Sequence, residues 1–370
     1  MNVVFAIGSN GSGQLGIGHK QDVSVPKQVL FAEPPSSPVT RVAAGGNHTL
    51  VLTQAGELFW SGDPSTGACG VVSPDVRQSS ASEPQFQRVL LSKAGSATKD
   101  GPVRLVAATW EASVVVQADE QGRCTRVSSM GAGLKGELGQ GPLVVRTPAA
   151  SAVAGSFPPV GTEVVDLAAC MAHVVAVLDN GEVYGWGNGR KGQLGTPEAV
   201  VDEPRKIENV PFIVRRAVCG KEFTCLFGNP EVGEMLVLGS DKWGVKSSAP
   251  TTMAGWKEVG ASWGSVFVLK ADGSLISWGR NDHGQLQPPK LPALRQIAVG
   301  SEHVVALTQD EEVLAWGWGE HGNCGPQVQD GDVKGRWNII AAAKYIPKGS
   351  KFAAVGAGCA TTWISIDMPS

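Results

Sequence analysis

Apolar and polar positions along this chain alternate between two motifs that return in the same order. Val174-Val-Ala-Val-Leu178 is an uninterrupted apolar run, as expected of a strand buried on both faces. Asp179-Asn-Gly181 follows as a tight turn suited to positive φ, and Val183-Tyr-Gly-Trp186-Gly forms the returning strand. The same order recurs as Val266-Phe-Val-Leu-Lys270, Ala271-Asp-Gly273 and Leu275-Ile-Ser-Trp278-Gly. Seven such hairpins can be traced, and no amphipathic helical stretch of any length accompanies them.

A glycine-rich phrase closes each hairpin. It reads Gly8-Ser-Asn-Gly-Ser-Gly13-Gln-Leu-Gly16, then Gly187-Asn-Gly-Arg-Lys-Gly192-Gln-Leu-Gly195, then Gly279-Arg-Asn-Asp-His-Gly284-Gln-Leu286. Weaker copies start at Gly62, Gly131, Gly239 and Gly317, each with a second glycine five residues on. A second unit lies between copies, as in Val42-Ala-Ala-Gly-Gly-Asn-His48-Thr-Leu-Val-Leu52 and Ile297-Ala-Val-Gly-Ser-Glu-His303-Val-Val-Ala-Leu307. The leading glycines are 54, 69, 56, 52, 40 and 38 residues apart. Such periods belong to propellers, with about forty residues per four-stranded blade. The excess is assigned to surface-loop insertions near 63–102 and 140–162, rich in Ser, Pro, Ala and Gly, with runs such as Ser79-Ser-Ala-Ser82.

The chain ends predict how the ring closes. Val3 to Ser9 matches the outer hairpin strand, whereas Phe352 to Ile366 matches the two inner strands and then stops. One blade is therefore expected to be shared, with inner strands from the C-terminus and outer strands from the N-terminus, leaving no exposed sheet edge. The expected fold is all-β, a single seven-bladed propeller domain over residues 1–370. Trp60, Trp186, Trp278 and Trp316 each close a strand and are expected to wedge between blades.

The Gly-x-Asn-x-x-Gly-Gln-Leu-Gly phrase, followed by Val-x-x-Gly-x-x-His-x-x-Val-Leu, resembles the RCC1-type seven-bladed propeller over essentially the whole chain. In size, immediate N-terminal strand and lack of appendages, the layout is similar to the small fungal propellers typified by the yeast alpha-tubulin suppressor. That resemblance implies a non-catalytic scaffold whose partner is a small CSL-type zinc- or iron-binding protein. It further implies a role in diphthamide synthesis and Elongator-dependent wobble-uridine modification, with Elongator-associated proteins as further partners. The family's namesake implies an alternative, guanine-nucleotide exchange on a small GTPase. A ubiquitin-ligase or trafficking adaptor is a third reading, which would need an attached domain. One fold hosts many activities, so the choice rests on the site.

Composition narrows the field. The net charge is −3, which offers no global electrostatic case for nucleic acid or an anionic membrane. The start enters a strand at once, with no basic or long apolar leader, so a cytoplasmic protein with a nuclear share is expected. The seven cysteines are scattered without a CxxC pair, so no metal or other cofactor is expected and Cys219 and Cys225 are read as buried free thiols. Asn10-Gly-Ser and Asn47-His-Thr fit the glycosylation pattern but carry no weight without a secretory signal. Gly131-Ala-Gly-Leu-Lys-Gly136 mimics a dinucleotide fingerprint, yet it is the third copy of the repeat phrase and opens no helix. Gly260-Ala-Ser-Trp-Gly264 mimics a nucleophile elbow but leads into a strand. The basic stretch Arg205 to Arg216 is read as solvated face. Nothing argues for an enzyme.

Function is therefore sought in the loops entering the second strand of each repeat. They read Gly46-Asn-His48, Glu111-Ala-Ser113, Met171-Ala-His173, Lys221-Glu-Phe223, Trp263-Gly-Ser265, Ser301-Glu-His303 and Cys359-Ala-Thr361. They vary while the frame repeats, as recognition loops do. His48, His173 and His303 share one register and are equally suited to bonding neighbouring blades. Trp110 and Trp263 stand among small residues at this rim, suited either to anchoring a partner or to core packing. The candidate partner-binding set is His48, Trp110, Glu111, His173, Lys221, Glu222, Phe223, Trp263, Glu302 and His303, with Glu111, Glu222 and Glu302 available to an exchange factor.

Overall fold

A computed structural model describes residues 2–71, 83–91 and 101–369. Seven antiparallel sheets form a ring, with the first strand of each lining a central channel. Blade I comprises Val39–Ala44, His48–Thr53, Leu58–Gly62 and Gln87–Arg88; blade II comprises Val103–Ala108, Ala112–Ala118, Cys124–Ala132 and Arg146–Ala152. Blade III comprises Val164–Cys170, His173–Leu178, Val183–Asn188 and Val200–Lys206; blade IV comprises Arg216–Cys219, Phe223–Phe227 and Met235–Gly239. Blade V comprises Trp256–Ala261, Ser265–Lys270 and Leu275–Gly279; blade VI comprises Leu294–Val299, His303–Thr308, Glu312–Trp318 and Asp332–Ala342. Blade VII takes Lys351–Ala357 and Thr361–Asp367 from the C-terminus and Asn2–Gly8 and Val23–Gln28 from the N-terminus. The expected closure is present, with Asn2 to Gly8 registered against Asp367 to Thr361.

Sandwiching explains the uninterrupted apolar runs. Successive side chains of a strand point to opposite faces. In blade II, Val115 therefore packs with Leu50 and Leu52 of blade I, whereas Val114 and Val116 face the other way, into the cluster that holds Val174 and Ala176 of blade III. Both faces are interior, so no polar alternation survives in the second strand.

The strand-closing tryptophans lie at blade junctions, as expected. The indole of Trp186 donates to the Glu137 carbonyl of blade II's phrase (3.0 Å), Trp278 to Val245 (2.8 Å) and Trp316 to Gln285 (3.0 Å). The ring of Trp186 covers Gly139, where a Cβ would lie 2.8 Å from it. The leading glycine has a different requirement. Gly187 has φ +101°, and a Cβ there would meet the Ala172 carbonyl oxygen at 2.4 Å. Replacing Trp186 by Ala is expected to cost about 3–5 kcal/mol of unfolding free energy in denaturant titration, and by Phe distinctly less. Equal losses for both would show that the indole N–H, not the ring, holds the junction.

Two expectations need correction. The segment 140–162 contains the blade II outer strand Arg146–Ala152, because its polar and alanine-rich sequence suits an outermost strand with little to bury. Within 63–102, Phe86, Val89 and Leu91 are buried, while residues 72–82 and 92–100, including Ser79-Ser-Ala-Ser82, lie outside the described residues. Blades IV and V each have three strands where four were expected. In blade V, Pro288, Pro289 and Pro292 follow the third strand, and proline cannot donate to a ladder.

Candidate functional site

The loops that end the first strand of each blade all open on one face, and the repeat phrases lie beside them. A girdle of imidazoles lies just beneath this face. His48 Nε2 meets Ser113 Oγ of the next blade at 3.0 Å, His173 meets Thr224 at 3.1 Å, and His303 meets Thr362 at 2.9 Å. Ser113 gives its only hydroxyl proton to the Ala68 carbonyl (2.8 Å), and Thr362 gives its own to Asn323 (2.8 Å). The histidine Nε2 must therefore carry a proton and donate in both cases. The networks of His48 and His303 run from one blade to the next and back to the first blade's own phrase. Desolvation by burial depresses all three imidazoles to a pKa of about 4. The Gly-x-x-His spacing has a steric cause, since a Cβ at Gly45 or Gly300 would lie 2.3 Å from the ring three residues on.

His48, His173 and His303 are thus removed from the partner-binding set; they are interior, with Nε2 bonded to the neighbouring blade. Phe223 leaves it too, because its ring occupies the space that Gly220 vacates in the same register. Glu302 is buried, with its two oxygens taken by Arg280 and by Gln285 Nε2, the latter at 2.7 Å. Burial pushes its carboxyl upward, and Gln285 and Arg280 oppose the shift.

The remaining residues come together. Trp110 of blade II and Trp263 of blade V meet over the channel mouth, their ring centroids 6.0 Å apart and tilted by 50°. Backbone bonds hold the loops that carry them: Gly46 N to Trp110 O (2.9 Å), Trp110 N to Met171 O (2.8 Å), Lys221 N to Trp263 O (3.0 Å) and Trp263 N to Ser301 O (2.8 Å). The Lys221 ammonium lies 5.5 Å from the Trp263 ring, and Glu111 and Lys221 are exposed. Beside this pair is a cavity of about 250 Å³ lined by Lys221, Glu222, Trp243, Trp263, Arg280 and Glu302.

Trp243 and Arg280 were not singled out from sequence. Trp243 is 47% exposed and sits at φ +67°, a left-handed conformation costly for a bulky residue. Lys242 and Arg280 face its ring at 5.5 and 5.0 Å. A signal was available: the residue before the second glycine is Ser12, Thr66, Lys135, Lys191, His283 or His321 in the other copies, and tryptophan only here. Arg280 is held by Asp282 through two bonds of 2.7 and 2.8 Å, and Asp282 falls to a pKa of about 2 despite the opposing effect of burial, through its bonds from Arg280 and Gln285. The result is a rigid platform of tryptophan faces edged by cations, suited to receiving apolar and acidic side chains of a protein.

The two catalytic look-alikes stay structural. Gly131–Gly136 forms a phrase loop leading to no helix, and Ser262 Oγ accepts the Ser265 amide at 3.1 Å to close its own turn. Cys219 and Cys225 are buried free thiols, and burial raises both. Among the described residues no group of His, Cys, Asp and Glu is arranged to hold a metal ion, and no helix is long and apolar enough to cross a membrane.

Comparison with known proteins agrees with this architecture. An RCC1 repeat-containing protein of Schizosaccharomyces pombe is 32% identical, with 99% of each chain covered. The secretion-regulating guanine nucleotide exchange factor of Mus musculus is 27% identical over 78% of this chain, which spans 62% of that protein. Among solved structures, Prp20p of Saccharomyces cerevisiae, described with its binding to Gsp1p and histones, superposes with a TM-score of 0.78 at 19% identity. It covers all of this chain, which in turn spans 92% of it. The RCC1-like domain profile matches residues 3–364, and the chain belongs to that family.

Proposed function

We propose that this chain is a non-catalytic protein-interaction propeller whose loop face, centred on Trp110, Trp243 and Trp263, docks a protein partner. The observation that carries this reading is Trp243: a half-exposed indole on a strained turn, flanked by two cations and opening onto a cavity. Rigid, partly exposed aromatics of this kind anchor interfaces. The partner proposed is a small CSL-type zinc- or iron-binding protein. The propeller then acts as an accessory factor in diphthamide synthesis and Elongator-dependent tRNA modification, in the cytoplasm with a nuclear share. This finer assignment rests on the resemblance to small fungal propellers, and the end-to-end match to a fission-yeast protein supports the layout.

A second reading, guanine-nucleotide exchange or adaptor work on a small GTPase, is supported by the name of the mouse relative and by the binding of Prp20p to Gsp1p. Against it, Glu302 is locked by Arg280 and Gln285, which leaves only Glu111 and Glu222 of the three candidate glutamates free to meet a GTPase.

Affinity capture of the tagged protein from a fungal extract, read by mass spectrometry, separates the two. Near-equal recovery of a CSL protein supports the first reading, and recovery of a GTPase released by added nucleotide supports the second. With the purified partner, Trp243→Ala and Trp263→Ala should each weaken affinity about thirtyfold, the loss expected of an interface hot spot, without changing the melting temperature. Unaltered affinity in both variants, with the fold intact, would remove this face from the interface.

A further inference from the structure

The opposite mouth of the channel has a different chemistry. The first strands all begin there, and outside blade III, which starts Val164-Val165-Asp166, they carry cations near their starts: Arg41 in blade I, Arg104 in blade II, Arg215 and Arg216 in blade IV, Lys257 in blade V, Arg295 in blade VI and Lys351 in blade VII. This concentration occurs in a chain whose net charge is −3. Carboxylates near the channel axis do not balance it. Asp166 accepts from Arg216 Nη1 (2.7 Å) and the Ala217 amide (2.9 Å), and Glu258 accepts the Ile297 amide (3.0 Å).

Arg41 stands out within this group. Its guanidinium lies in the channel, a cavity of about 260 Å³ that it lines with Asp166 and Arg216 among alanine and valine side chains. It donates to the Leu167 carbonyl of blade III at 3.1 Å, and among the described residues no carboxylate lies within ion-pairing distance. One carboxylate thus stands near two guanidiniums in the channel and is ion-paired with Arg216 alone. Buried charge of this kind is normally paired. Burial accordingly lowers the Arg41 pKa, with Asp166 opposing and Arg216 reinforcing the shift.

Further carboxylates of this face lie one strand further out, on the turns between second and third strands; Glu120 and Asp310 are exposed there, and three others are ion-paired. Glu57 pairs with Arg88, Asp119 with Arg123 and Glu311 with Arg295. A basic centre inside an acidic collar repels a broad polyanion lying across the face, such as a nucleic-acid helix. It admits a slender acidic chain aimed at the axis.

We infer that this mouth binds an acidic polypeptide segment, with the cation ring holding its side chains and one carboxylate seated in the channel against Arg41. Arginine suits that task because its planar fork matches a carboxylate. This surface is on the far side of the ring from the tryptophan face, so the two can be occupied together.

The test is fluorescence anisotropy with a fluorescein-labelled hexaglutamate amide on the full-length protein. Saturable binding that weakens with added salt is expected. Arg41→Gln should weaken it about tenfold, and so should the exposed double variant Arg104→Glu/Lys257→Glu, which decides the question if Arg41→Gln does not fold. Trp243→Ala should leave it unchanged. No saturable binding, binding insensitive to both sets of substitutions, or equal binding of a single-stranded oligonucleotide would overturn the proposal.

Discussion

Chains lacking residues 1–18 are expected to lose the cooperative fold altogether. Asn2–Gly8 is the third strand of blade VII, paired with Thr361–Asp367 on one side and with Val23–Gln28 on the other. It buries Val3, Val4, Ala6 and Ile7, and the following phrase buries Leu15 and Ile17. Removing these side chains forfeits on the order of 10 kcal/mol at roughly 1.5–3 kcal/mol per large apolar group. That is comparable to the whole stability of a typical domain, about 5–15 kcal/mol. The loss also leaves Thr361–Asp367 as an open edge exposing Trp363, Ile364 and Ile366, an aggregation template. Circular dichroism melts and size-exclusion chromatography provide the check. A truncated chain that stays monomeric and melts within a few degrees of the full-length protein would show that closure is not needed.

Acid is expected to open the ring between pH 6.5 and pH 4. The three girdle histidines titrate near 6.5 when unfolded and near 4 when folded. Between those values the unfolded chain binds more protons, so stability rises with pH through the window. It is complete above about 6.5 and is lost as pH falls towards 4. Each histidine accounts for about 3 kcal/mol at the lower limit, so three together can exhaust the stability of the domain. The physical reason is visible in the bonding. Nε2 of His48 and His303 already carries a proton for its hydroxyl partner, so an added proton must sit on Nδ1, which for His173 and His303 is buried and has no partner. Urea titrations at pH 7, 6, 5 and 4 measure the effect. The slope should become shallower when one site is removed in His173→Asn, whereas a free energy of unfolding that is flat across the window would contradict the girdle's role.

Propeller architecture was legible because its signals are local and repeated. A doubly buried strand must read as a continuous apolar run, as Val174 to Leu178 does, and a turn at positive φ must carry glycine, as Gly181 does at +83°. Even the closure at blade VII followed from matching incomplete repeats at Asn2 and Ile366. The functional residues were less legible. Trp110 and Trp263 were found because they break a local pattern, Lys221 because it lies in a variable loop, and Trp243 could have been found in the first way. His48, His173, Phe223, Glu302 and His303 were misplaced because a loop's position in a repeat does not reveal which of its side chains turn inward. Phe223 shows the difficulty: it takes the histidine register with a ring that needs no polar partner, and only the space beside Gly220 shows that it is interior.

What the sequence determined by itself is the repeating unit, the number of blades and the way the ring shuts, since each depends on residues adjacent along the chain. Tertiary structure alone decided that Trp110 meets Trp263 across the channel mouth, that Arg280 silences Glu302, and that Arg41 reaches Leu167 two blades away. Those pairs lie on different blades, and their separation is set by the radius at which seven twisted sheets close. No local pattern of apolar and polar positions encodes that radius.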